Sequence, residues 1–172
     1  IGCAEQTFMT AVNGSNCTSV PTSNDGAGIT NVVLGTQNFT NGDVTYFDHT
    51  ATAVDLSQGI LTNLQVTLAT GFTYSTVVWI DLNDNFNFEL NELVFQGVST
   101  NANPVVFDAI FLMLANAALG VHRMRIVSTD VVQNPANPCY GGTYGVTLDF
   151  NVNIIPIPTC LAPSDLTVPA AT

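Results

Sequence analysis

The sequence predicts an all-β protein, an antiparallel β-sandwich of the jelly-roll or immunoglobulin-like kind with a short Pro-rich linker at its C-terminal end. Three observations point there. Apolar and polar residues alternate with period two in nearly every periodic stretch. Turn-forming clusters ("SNDGAG", "TNGD", "STNANP", "QNPANPCYGG") separate those stretches about every 10–15 residues. Helix signals are weak, with no strong cap before or after an apolar repeat of helical spacing.

Taken in order, "NVVLGT" is apolar and β-branched, as a buried strand is. Leu64, Val66 and Leu68 alternate with Asn63, Gln65 and Thr67. "STVVWI" is again β-branched, with Trp79 in mid-strand where core packing is its expected role. Val105 to Leu114 is apolar on both faces and fits either a buried helix or a buried strand. The alternation of its neighbours favours strand. In "VHRMRIV", Met124 and Ile126 alternate with Arg123 and Arg125. The clearest alternation sets Val146, Leu148, Phe150, Val152 and Ile154 on a dry face against Thr147, Asp149, Asn151 and Asn153 on a wet one. The last segment, from 156 to 172, is broken by Pro156, Pro158, Pro163 and Pro169 and reads as a linker after a domain spanning 1–155.

Composition removes several functions. The chain has 172 residues, 47% of them hydrophobic, enough for one domain with a sizeable core. Asp and Glu number 13 against two cations, Arg123 and Arg125, giving a formal net charge of −11. Two cations cannot neutralise a run of phosphates, so no nucleic-acid partner is expected. Membrane insertion is not expected either, because no apolar run approaches the ~18 residues of a membrane helix. A chain that begins at Ile1, with neither Met nor a signal peptide, is expected to be a processed or excised piece of a longer precursor. Cys3, Cys17, Cys139 and Cys160 lack C-x-x-C spacing, which favours disulfides in an oxidising compartment over zinc. Four cysteines allow three pairings. One is a local Cys3–Cys17 clip with Cys139–Cys160 as the remainder, and spacing does not choose among the three.

The densest chemistry lies in "WIDLNDNFNFELNE". Counting Asp81 as position 1, oxygen-bearing side chains fall at Asp81, Asn83, Asn85, Asn87, Glu89 and Glu92, the ligand spacing of a calcium loop. Ca²⁺ is therefore the expected cofactor. Phe86 stands where such a loop has Gly for its sharp turn, and Asn at two early positions removes negative charge. The competing reading is an Asn-rich turn held by side-chain-to-backbone hydrogen bonds.

Arg123 and Arg125 point to one face of their strand and call for carboxylate partners, with Asp149, Asp48 and Asp130 as candidates and Asp149 foremost. His49 and His122 belong to no nucleophile-elbow, H-E-x-x-H or phosphate-loop motif, so no enzyme activity is expected. Trp79, Phe72, Tyr74, Tyr140 and Tyr144 are candidates for a sugar-stacking platform, with Tyr140 and Tyr144 the better placed for exposure. Asn13, Asn16 and Asn38 head glycosylation sequons, which matter only in a eukaryotic secreted protein. Phe107, Ile110, Phe111, Leu112 and Met113 put large apolar groups on both faces of one stretch. A cover from the same domain or from another copy of the molecule is expected there, so self-association into an extracellular fibre is a candidate partner mode.

The order "ITNVVLGTQNFTN", "YFDHT", "GFTYSTVVWIDLNDNFNF", "GVHRMRIV", "PCYGGTYGVTLDFNVNI" resembles the GEVED domain, a β-sandwich module of secreted and cell-surface proteins of the Bacteroidota. The resemblance runs from about Cys3 to Ile155. Asp48 matches the Asp of the family's Y-x-D-x-T, and Trp79, Asp81, Asn83 and Phe88 match its acidic loop. Arg123, Met124 and Arg125 match its R-M-R. Gly145 and Asp149 match the naming motif, where Phe150 replaces Tyr and Val146 and Leu148 replace both glutamates. The tail "CLAPSDLTV" resembles the first strand of a fibronectin type III module. The resemblance implies a non-catalytic structural or adhesive module, extracellular or at the cell surface, whose partners are other domains of its own chain and a glycan or surface protein. An accessory binding domain of a secreted hydrolase is the alternative it implies.

Overall fold

The computed structural model describes residues 15–157 apart from 25, 27, 70 and 134–136. Of the linker and fibronectin-like strand expected over 156–172, residues 158–172, with Cys160 among them, lie outside the described residues, as do Cys3 and the Asn13 sequon. The described residues form strands joined by turns, with short 3₁₀ segments at Leu90–Glu92 and Val131–Gln133. The strands are β1 (Gly28–Leu34), β2 (Gln37–Thr40), β3 (Tyr46–Ser57), β4 (Leu61–Thr62), β5 (Leu64–Ala69), β6 (Tyr74–Asp81), β7 (Leu93–Val98), β8 (Val105–Asp108), β9 (Phe111–Leu112), β10 (Gly120–Asp130) and β11 (Gly145–Ile155).

They assemble a four-stranded sheet in the order β2-β1-β5-β8 and a five-stranded sheet in the order β3-β11-β10-β6-β7, with a small β4-β9 ladder at the side. The two large sheets pack face to face, as the alternation requires. Ile29, Val32, Leu34, Leu64, Val66 and Leu68 come from one sheet. Val78, Ile80, Met124, Ile126, Leu148 and Phe150 come from the other. Each such side chain taken from water contributes roughly 1.5–3 kcal/mol, which makes this double layer the main source of stability. The β1–β2 hairpin closes over Gly35–Thr36, with Gly35 at φ 58°, a conformation that a two-residue hairpin turn needs and a side chain resists.

Among the named strands, the architecture departs from a purely antiparallel sandwich at one place. β3 runs parallel to β11, pairing Asp48 with Asp149 and then Ala53 with Asn151. Four residues of β3 thus bulge opposite Phe150, and His49 from that bulge stacks on the Phe150 ring at 5.0 Å.

The wet face expected for β11 is largely dry. Thr147 and Asp149 are buried, as are Arg125, Val127 and Thr129 on the neighbouring strand. The reason is a second layer of cover. Val77, Trp79, Val127 and Tyr140 form a smaller cluster on the outer side of the five-stranded sheet, with Phe88 and Leu93 against it. Tyr140, expected to be exposed, is therefore a core residue. Gly145 is fixed by the same cover: a Cβ there would lie 2.9 Å from the Ser128 carbonyl oxygen and 3.1 Å from the Tyr140 ring.

Val105 to Leu114 contains strands, and its two faces differ. Ala109, Phe111 and Met113 enter the main core, whereas Ile110, Leu112 and Leu114 are about half exposed.

Candidate functional site

The polar residues of interest gather on the outer side of the five-stranded sheet. β10 and β11 set Arg125 directly opposite Asp149, and β6 sets Asp81 opposite Arg123. Arg125 is 3% exposed and Asp149 1%. The guanidinium donates from Nε to Asp149 Oδ1 at 2.6 Å and from NH2 to Oδ2 at 2.7 Å, a two-pronged pair. Its NH1 donates to the carbonyl oxygens of Cys17 at 2.6 Å and Pro138 at 2.7 Å. Phe88 lies under the guanidinium, 5.2 Å from ring centre to Cζ. Tyr46 completes the carboxylate by donating its hydroxyl to Asp149 Oδ2 at 3.1 Å. Burial, together with the Asp149 charge, pushes the Tyr46 phenol up to about 12, so it remains a donor. Of the three carboxylates considered for the arginines, Asp149 takes both: Arg123 NH1 stands 3.6 Å from its Oδ2. Asp48 instead accepts from the Thr50 amide and Asp130 from the Val132 amide.

Segment 15–20 and the loop before Tyr140 cover this pair, and a Cys17–Cys139 disulfide joins them. Cys17 and Cys139 are thus partners of each other, not of Cys3 and Cys160 in a local clip. Ser19 fastens the same segment, donating to the Tyr140 carbonyl oxygen at 3.1 Å and sharing a hydrogen bond with Thr147 Oγ1 at 2.8 Å. Beside the disulfide lies an open cavity of about 390 Å³, reached by Asn16, Phe86 and Arg123.

The Asx-rich loop follows β6 directly. Asp81 accepts at Oδ1 from the Asn85 amide and at Oδ2 from the Phe86 amide, at 3.2 and 2.9 Å. Glu92, 2% exposed, accepts from the amides of Leu82, Asn83 and Glu89. Glu89 receives the side-chain amides of Asn83 and Asn85. Phe86 sits at φ 66°, so the backbone makes the sharp turn expected of Gly with a Phe in place. Asp84 is also left-handed, at φ 54°, and its Oδ1 meets Nδ1 of buried His122 at 3.0 Å. The other ring nitrogen of His122 faces the Ala118 carbonyl oxygen at 3.0 Å, so this histidine ties the loop to the next turn. Burial, with the Asp81 charge added, raises the Glu92 carboxyl above its usual range against the pull of its amide donors. Among the described residues, no group of three or more His, Cys, Asp or Glu is arranged to hold a metal. A cation in this loop would draw on Asn and backbone oxygens beside Asp81 and Glu92.

Segments far apart in sequence therefore meet. Asn16 Nδ2 donates to Asp81 Oδ2 at 3.4 Å, and Phe88 of the loop packs on Arg125. Tyr46, Asn16 and the Cys17 and Pro138 carbonyls were not among the candidates. Tyr46 had a visible signal, the Tyr that opens "YFDHT"; the carbonyls had none. The five aromatics do not make one platform: Tyr74 belongs to the main core, Trp79 and Tyr140 to the outer cluster. Of the residues considered for self-association, Phe111 and Met113 belong to this chain's own core and are withdrawn from any partner. Phe107 packs edge-on against Phe95 at 5.5 Å, and Ile110 and Leu112 remain outside.

Fold and site together define a β-sandwich whose outer sheet face is sealed by a disulfide-joined flap around a buried arginine–aspartate pair. Residues 75–153, from β6 into β11, match the family model described as the GEVED domain. The match covers the loop, both arginines, Gly145 and Asp149 and leaves out β1 to β5. At the two positions where the family's glutamates are expected, Val146 and Leu148 are fully buried in the main core. A search of the curated proteins finds no match to the chain. No helix of the described residues is long and apolar enough to cross a membrane.

Proposed function

We propose that the chain is a non-catalytic structural or adhesive module of a secreted or surface-displayed multidomain bacterial protein. One observation carries the reading: the most polar cluster is closed on itself. Four donors of Arg125 already meet acceptors within the protein, and both Asp149 oxygens are taken. A general acid or base has to offer its proton to a substrate, and this pair offers none. The disulfide suits an oxidising compartment, and the GEVED match supports a module of extracellular proteins. The expected result is no turnover by the purified chain of chromogenic glycosides, esters or peptides. Turnover that disappears on substituting a residue of this outer face would overturn the reading.

Calcium as a stiffening ion is part of the same proposal. Asp81 and Glu92 are both buried, and the side-chain oxygens of Asn83 and Asn85 lie on the same curl, each accepting from the amide two residues on. The expected result is a higher Tm in Ca²⁺ than in EGTA at neutral pH. The sign of the pH dependence follows from Glu92. Its folded carboxyl lies above the ordinary glutamate range, so it takes up a proton earlier on acidification than the unfolded chain does. The calcium increment should therefore shrink on acidification before a free carboxylate would lose its charge. An unchanged Tm in EGTA at pH 7 removes the ion from the account.

A further inference from the structure

We propose that the cavity beside Arg123 is a binding site for a uronate, a pyranose that carries a carboxylate. The inference deepens the adhesive reading and rests on it. Arg125 and Arg123 share one aspartate unequally. Arg125 takes both oxygens, Tyr46 adds a third hydrogen bond, and Arg123 is left 3.6 Å away, outside hydrogen-bond range. Arg123 Nε is buried with no partner among the described residues. Nε itself is shut off from solvent, so a ligand meets this arginine at its terminal nitrogens, where the contact to Asp149 is longer than a hydrogen bond. The guanidinium belongs to the cavity wall and its side chain is 32% exposed, so a ligand can reach it.

The remaining wall fixes the class of ligand. Its volume of about 390 Å³ lies in the range of small-molecule sites. Phe86, held at φ 66°, contributes a ring against which the C–H face of a sugar packs. Ser15, Asn16 and Thr18 offer hydroxyl and amide groups for sugar hydroxyls. Two arginines against the single Asp149 carboxylate, the Phe86 and Tyr46 rings and several neutral hydrogen-bonding groups line the cavity, and because Asp149 is already taken up by Arg125, one cation is left for an acidic pyranose. A carboxylate suits the planar guanidinium fork. A dianionic phosphate would meet more repulsion from Asp149, from Asp81 across the strand and from Asp48. Burial works to raise the Asp48 carboxyl, and the Thr50 hydrogen bonds together with the Arg123 charge hold it low. The formal charge of −11 on the whole chain matters less at this point. Carboxylates farther than about 8 Å are screened at physiological ionic strength.

The test is a titration of the whole chain with digalacturonate in EGTA, followed by calorimetry and amide NMR, against neutral galactobiose and an acidic tripeptide. The expected result is a dissociation constant in about the millimolar range for the uronate. Shifted amides should fall in segment 15–20 and around Phe86. Arg123→Gln should weaken binding at least about tenfold while the fold, read by its Tm, persists. Phe86→Gly should also weaken binding, and the relief of the φ 66° backbone offsets part of the packing lost with the ring, so its Tm is read beside the binding. Equal binding of galactobiose, undiminished binding by Arg123→Gln, or binding of the peptide but not the uronate would each overturn the proposal. Such a failure leaves the non-catalytic reading standing, whereas hydrolysis of digalacturonate would sink that reading.

Discussion

Arg125→Met should destabilise the protein by about 3–5 kcal/mol, the range for removing one partner of a buried ion pair. The size follows from what is left behind. Asp149, 1% exposed, loses two short hydrogen bonds and is left with the Tyr46 hydroxyl and the longer 3.6 Å contact to Arg123. The carbonyls of Cys17 and Pro138 lose their donor in the same step, and Phe88 loses the cation on its ring. Lysine is no substitute, since one ammonium cannot serve two carboxylate oxygens and two carbonyls in the plane of a fork. The double variant Arg125→Met/Asp149→Leu should recover much of the loss, because it removes the orphaned charge. Urea denaturation of the single and double variants gives the comparison. A single variant within about 1 kcal/mol of the parent would show the pair to be solvated, and the closed cluster with it.

The sequence made the layers legible and left the cover obscure. Alternation at Leu64 to Leu68 and at Val146 to Ile154 identifies core faces correctly, because a sheet with one dry side writes period two into its strands. It misplaces Thr147 and Asp149, because a polar residue sealed beneath a flap looks in sequence like one in water. β3 could not be recognised as a strand: half of it is exposed, and the bulge opposite Phe150 breaks its alternation. Parallel pairing of β3 with β11 leaves no local signal, since nothing near Tyr46 records a partner about a hundred positions on. The arginine–aspartate pair was readable because two cations among 13 carboxylates narrow the options. The carbonyls that share Arg125 were not, because any residue carries one. Arg125, Asp81 and Cys17 drew notice for three separate reasons, and only the folded chain brings them to one face.

The second large effect concerns the disulfide and reports on that flap. Reduction, or Cys139→Ser, should cost about 4–5 kcal/mol on chain entropy alone, since Cys17 and Cys139 are 122 residues apart. The loss should not spread evenly. The core between the two sheets draws on neither cysteine, whereas segment 15–20 relies, among the described residues, on Ser19, Asn16 and the Arg125–Cys17 contact once the bond is gone. Trp79 gives a local readout, because it is the single tryptophan, 6% exposed, and packed in the same small cluster as Tyr140. Its emission should therefore shift to the red on reduction at a temperature where the strand signal in the far-ultraviolet persists. The bond and Arg125 anchor the same flap, so either loss loosens what the other holds. Arg125→Met should consequently cost less in the reduced protein than in the oxidised one. Equal costs in both states would mean that the arginine and the disulfide act separately, and that the flap is not a single cooperative cover.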